Sequence, residues 1–122
     1  MDKTITIDGI EYVPKGSEKS TPVTPLKGLK YVIVRTYSAG VFAGYLKSRK
    51  AKEGIMLHSR RLWFWKGAAS LSQLAVDGVS EPNECKFPCE IEGEHELTEI
   101  IEVIPCTKKA QDSIKNVPIW EN

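Results

Sequence analysis

Apolar residues fall along this chain in short runs with a period of two, interrupted by two stretches with helical spacing. Thr4-Ile5-Thr6-Ile7 alternates polar and apolar, Asp8-Gly9 follows, and Ile10-Glu11-Tyr12-Val13 resumes the pattern, which predicts a β-hairpin. Tyr31 to Tyr37 is β-branched and aromatic and reads as a strand. Ser38-Ala39-Gly40 turns it, and Val41 to Leu46 is the return strand. Lys47 to Gly54 reads as a basic hairpin loop, and Ile55 to His58 begins a strand that leads into Arg60 to Trp65. Alternation there places Leu62 and Phe64 with Arg60 on one face, and Arg61, Trp63 and Trp65 on the other. Lys66-Gly67 breaks the strand. Ser70 is placed to cap a helix whose Leu71, Leu74 and Ala75 share a side, with Gly78 as its stop. Further on, Phe87 to Ile91 and Leu97 to Ile104 read as strands, and Thr107 caps a closing helix over Lys108 to Lys115 with Ala110 and Ile114 inward. Pro118-Ile119-Trp120 is an extended tail. The order predicts an α+β fold: a small antiparallel, curled or barrel-like sheet with one inserted helix and a C-terminal helix.

From Pro14 to Gly28 the composition shifts to Pro, Ser, Thr, Lys and Gly, with little to bury. Residues 1–28 are therefore expected to be an accessory hairpin and flexible linker, docking on the body or on a neighbouring subunit, and 29–122 a single α+β domain. The net charge of +1 gives no global field to recruit DNA, RNA or an anionic membrane, so any recognition of phosphate must be local. No apolar run approaches the ~20 residues of a membrane span. The N-terminus carries no apolar signal core, so secretion is not expected. Cys85, Cys89 and Cys106 form an odd set without a matching second pair. His95 is the nearest candidate for completing a zinc quartet, and the expectation is free thiols, no metal and no cofactor.

Candidate chemistry concentrates between Arg60 and Gly78, where a guanidinium and two indoles run into a helix start whose free N–H groups favour an anion. Arg35, a charge inside an apolar strand, either pairs with a carboxylate or waits for an anionic ligand, since its planar fork matches phosphate oxygens. The ligand-binding candidates are Arg35, Tyr37, Arg61, Trp65, Ser70, Ser72 and Gln73, with Trp63 as a structural residue. The same aromatics also fit a core or a subunit interface, because aromatics dominate both. The basic loop fits a solvated tip as well as a phosphate contact. His58 stands alone, without an acid or nucleophile beside it. There is no phosphate-binding glycine loop, no GxGxxG, no HExxH and no GxSxG, which tilts the reading toward binding rather than an enzyme.

The strings YVIVRTYSAGVFAGYL, RRLWFWKGAASLSQLA, CKFPCE and TEIIEVIPCT, with the closing helix and VPIW, resemble a family of small bacteriophage proteins, the first described Thoeris anti-defence family. The resemblance covers about residues 29 to 120. It implies a non-enzymatic sponge in the cytoplasm of the infected bacterial host. Such a protein binds the cyclic ADP-ribose isomer made by a TIR-domain enzyme and keeps the NAD-degrading effector silent. It also implies a homo-oligomer, a dimer or an assembly of dimers, with cyclic oligonucleotides as further ligands. In that frame indoles sandwich the adenine, Arg61 or Arg35 forks onto the pyrophosphate, and Ser70, Ser72 and Gln73 supply polar partners. The alternative is a phage protein–protein inhibitor or structural subunit using the tryptophan strand as an interface.

Overall fold

In a computed structural model of the chain, residues 5–7, 10–12, 26 and 28–121 are described. The N-terminal hairpin forms from β1 (Ile5–Ile7) and β2 (Ile10–Tyr12), antiparallel with Ile5 opposite Tyr12. Its Asp8-Gly9 turn and most of the linker lie outside the described residues. The body is an α+β fold built on β3 (Lys30–Thr36), β4 (Val41–Lys50), β5 (Glu53–Arg61), β6 (Glu94–Leu97) and β7 (Ile100–Pro105). These five form one antiparallel sheet in the order β6-β5-β4-β3-β7. The inserted helix α1 spans Leu71–Asp77 and the C-terminal helix α2 spans Lys108–Lys115.

The sheet curls without closing. Its two edge strands, β6 and β7, are consecutive in the chain and separated only by Thr98 and Glu99. Four interstrand steps of a flat sheet would cover ~19 Å, whereas three Cα steps reach at most ~11 Å. The edges must therefore approach each other at that end. The Ile100 N–H donates to Lys52 O at 2.9 Å and the Tyr37 N–H to Glu99 O at 2.9 Å, which ties the β4–β5 tip and the β3 end to this link. Two hydrophobic clusters result. Val32, Val34, Phe42, Met56, Leu97 and Ile100 fill the inside of the curl. Tyr31, Ile33, Leu57, Leu62, Leu74, Phe87 and Ile114 lie in the other cluster, between the outer face and the helices.

Several sequence expectations are corrected here. The expected basic loop is mostly strand, since β4 runs on to Lys50 and β5 starts at Glu53, leaving Ala51-Lys52 as the turn. The single late strand is two strands on opposite edges, broken at Glu99, whose φ is 58°. Phe87 to Ile91 forms isolated bridges rather than a strand, Phe87 with Ile119 and Arg60 with Glu90. Arg60 to Trp65 does not continue as a strand past Arg61. The Leu62 N–H still reaches Val41 O, but the Trp63 and Phe64 N–H groups turn to Lys86 O. Both helices begin and end where the sequence places them. Ser70 Oγ accepts from the Gln73 N–H and Thr107 Oγ1 from the Ala110 N–H, and Gly78 caps α1 at φ 76°.

Candidate ligand site

A bulge decides which arginine faces where. Along β4 and β5 the pairs Ala43–Arg60 and Tyr45–Leu57 differ by one extra residue on β5, and His58 there adopts φ 53°. One inserted residue reverses the alternation beyond it. Leu57 and Arg60 consequently both lie on the helix side, while Ser59 and Arg61 lie on the inside of the curl. Gly44 permits the tight crossing, because a Cβ there would sit 2.7 Å from Ser59 Cα.

Arg60 is 3% exposed. Its Nε donates to Pro88 O (2.8 Å) and its Nη1 to Ile114 O (2.8 Å). Its Nη2 donates to Phe87 O (3.0 Å), Val117 O (2.7 Å) and Pro118 O (3.1 Å). Ile114 lies in the last turn of α2, where the helix dipole favours a cation. Burial pushes this guanidinium below its ordinary range, and no carboxylate pairs with it among the described residues. It fastens the end of α2, the tail and the 87–88 segment to β5.

Arg61, the next residue, is half-buried at the end of β5. Its guanidinium lies over the Phe42 ring, 4.6 Å from the centroid, and a Cβ on Gly40 would be 3.9 Å from its Nε. Among the described residues it has no hydrogen-bond or ion-pair partner. The other side of the Phe42 environment is His95 of β6, its ring edge-on to Phe42 with centroids 4.8 Å apart. His95 Nδ1 is 2.7 Å from Ser59 Oγ, and Ser59 is fully buried. Burial first, and the Arg61 charge second, hold the His95 imidazolium below its ordinary pKa. The β3–β4 turn borders this rim with Tyr37, 78% exposed, and Ser38, whose hydroxyl donates to Glu99 Oε1 at 2.9 Å.

The seven expected ligand residues do not form one constellation. Arg35 pairs with Val41 across β3–β4, and Phe42 pairs with Arg61 across β4–β5, so the two arginines occupy opposite faces of the sheet. Arg35 is exposed and donates to Glu102 Oε1 at 2.9 Å, the carboxylate pairing that stood as the alternative to its ligand role. Trp65 is half-buried against the helix-side core, and Trp63 is 65% exposed, the reverse of the roles expected for them. Ser70 and Gln73 are engaged in the cap of α1, since Gln73 Oε1 accepts from the Ala69 N–H at 2.8 Å. Ser72 is exposed on the same short helix. Arg61 remains at the rim, and Tyr37 is exposed on the adjoining β3–β4 turn. Phe42, His95, Ser59 and Gly40 join Arg61 there, none of which the strand pattern singled out for ligand chemistry.

A concavity of about 490 Å³ lies away from Arg61, along the β4–β5 hairpin and β6. It is lined by residues of mixed charge including Arg49, Lys50, Glu53 and Glu96. Cys85 is buried, Cys89 exposed and Cys106 half-buried, and burial pushes the Cys106 thiol up to about 11. No group of three or more metal-ligating side chains occurs among the described residues. No described helix is long and apolar enough to cross a membrane.

A family model described as a domain of unknown function, DUF6948, matches residues 29–114, from the residue before β3 to the last turn of α2. No curated protein and no solved structure matches the chain.

Proposed function

The chain belongs to the DUF6948 family, a domain of unknown function, and for this member we propose the sequestration of a cyclic nucleotide immune signal. The ligand is a cyclic ADP-ribose isomer in the first place, with cyclic oligonucleotides as further candidates. It is bound without being degraded, in the cytoplasm of a phage-infected bacterium, by a dimer or an assembly of dimers. The observation that carries the reading is Arg61, a half-buried guanidinium held on the Phe42 ring with no acceptor among the described residues. A guanidinium held in place but left without an acceptor suits a pyrophosphate, whose oxygens its planar fork can bond in pairs. Tyr37, exposed on the adjoining β3–β4 turn, offers a ring to a base. The sequence resemblance to phage anti-defence sponges supports the choice of ligand.

The test is capture and release. Protein mixed with the cyclic ADP-ribose isomer is filtered, and the retained fraction is then heat-denatured. Intact nucleotide returning on heating supports sequestration, and a cleaved product would make the protein an enzyme instead. Light scattering at micromolar concentration checks the oligomer, which a clean monomer would overturn.

A second reading has its own observation. Trp63, Phe64 and Ile119 are exposed together with a half-buried Trp120, and Lys86 Nζ sits between Phe64 (5.9 Å) and Trp120 (5.6 Å). This surface fits a protein–protein inhibitor or structural phage subunit, with the aromatics as interface anchors. Tight nucleotide binding that is lost in Arg61→Ala would set that reading aside.

A further inference from the structure

We propose that His95 is the second, proton-controlled cation of the Arg61 rim, so that binding of a pyrophosphate-type anion is accompanied by proton uptake on His95. The inference rests on the reading of the rim as an anion site.

Phe42, fully buried, holds the two groups in register, with the Arg61 guanidinium at 4.6 Å and the His95 ring at 4.8 Å from its centroid. Ser59 is also fully buried, and His95 Nδ1 at 2.7 Å is the partner described for its hydroxyl. A buried hydroxyl needs a partner. In the neutral tautomer with its proton on Nε2, His95 Nδ1 accepts from the Ser59 O–H. Protonation reverses the polarity of that contact without breaking it, because the hydroxyl rotates and its oxygen accepts from Nδ1–H. The fold therefore accommodates either state.

Opposition to the charged state comes from burial first and from the Arg61 charge second. From β5 the charge facing His95 is Arg61, and from β4 the neighbour is the uncharged Phe42. On β6 itself, Glu94 and Glu96 flank His95 and alternate to the other face of the strand, and Glu94 pairs with Lys47. Other described carboxylates have partners of their own, Glu99 with Ser38, Glu102 with Arg35 and Glu90 with His58. No carboxylate lies within ion-pair distance of Arg61 or His95 among the described residues. Negative charge must come from a ligand. An anion on Arg61 offsets the Arg61 repulsion and adds an attraction that works against the burial penalty, so capture favours the imidazolium.

The probe is ADP-ribose, a pyrophosphate diester whose phosphates stay ionised across the range used. Ring resonances of both histidines are followed by NMR between about pH 5 and 8, with and without ADP-ribose, and affinity is measured by calorimetry over the same range. The expected result is a rise of about one unit or more in the His95 pKa on binding, which equals a roughly tenfold or larger gain in affinity toward acid pH. The resonances of His58, exposed and beside Glu90, serve as the internal reference. His95→Gln should bind with an affinity independent of pH. Binding that is unchanged across pH, or a His95 pKa unmoved by ligand, overturns the proposal while leaving the anion site standing if Arg61→Ala still weakens binding. No binding at any pH overturns both. The wild-type titration decides the matter even if the variant does not fold.

Discussion

Arg60 and Arg61 are adjacent in the chain, and the fold uses them in opposite ways. Arg60 is enclosed on the helix side by five backbone carbonyls from three segments. Arg61 stands on a phenyl ring at the rim of the curl, without an acceptor among the described residues. The difference shows that a charged residue's role here is set by which face it reaches and what backbone lies there. A cation whose donors are all satisfied by the protein is a fastening. A cation left with open donors at an accessible rim is available to a ligand.

The contrast is broken most severely at Arg60. Arg60→Met removes the donors of five carbonyls at once, and each buried polar group left unpaired costs about 1–3 kcal/mol before water enters. We expect a loss on the order of 3–5 kcal/mol in denaturant unfolding, or a failure to fold, similar to breaking a buried ionic network. A variant as stable as wild type would show that the carbonyl cage does not hold the helix layer to the sheet.

At Arg61 the effects should separate. Arg61→Ala loses a cation–π contact of about 0.5–1 kcal/mol, so stability should change little. Nucleotide affinity should fall by roughly 1–3 kcal/mol, the range for hydrogen bonds to charged groups. Arg61→Lys should rescue binding poorly, because it lacks the planar fork. Calorimetry on folded variants checks this, and equal affinity for the lysine variant would remove Arg61 from the site.

The tryptophans sharpen the same division between core and surface. Trp65→Leu, on the helix side, should cost about 1–3 kcal/mol of stability through lost packing. Trp63→Leu should leave the melting temperature nearly unchanged. An early melt for the Trp63 variant would place that indole in a subunit contact.

A smaller effect is expected for stability against pH. His95 has its folded pKa lowered, so the unfolded chain binds more protons in the window below the ordinary histidine pKa. Its contribution to stability is fully present above about pH 6.5. It declines as pH falls from there through the lower folded value. Comparing wild type with His95→Gln should reveal this as a difference in slope, and parallel curves would contradict it. Least of all, Glu102→Gln should cost at most about 1 kcal/mol, because the Arg35–Glu102 pair is exposed.

Local chemistry makes much of the fold legible in the order of residues alone. Ser70 and Thr107 as caps, Gly78 as a stop, and Ala110 and Ile114 as the buried stripe of α2 follow from side chains acting within one turn of themselves. Strands β3 and β4, the α+β class and the curled antiparallel sheet follow from alternation and element order. Alternation also places Arg60 with Leu62 and away from Arg61, and that pairing holds.

Pairing partners decided the rest. Whether the chain stays in the sheet after Arg61 depends on Lys86, which takes the amides of Trp63 and Phe64 away from β4. That exchange left Trp63 exposed and Trp65 against the core. The separation of Arg35 from Arg61 depends on register across three strands, and the juxtaposition of His95 with Ser59 depends on β6 reaching β5 after a long excursion. The bulge at His58 carries no Gly or Pro to announce it. The sequence by itself determined the caps, the stops and most of the strands, because those interactions close within a few residues. Which arginine is enclosed by carbonyls and which keeps open donors was settled by the tertiary structure, because that depends on carbonyls and rings brought from distant parts of the chain.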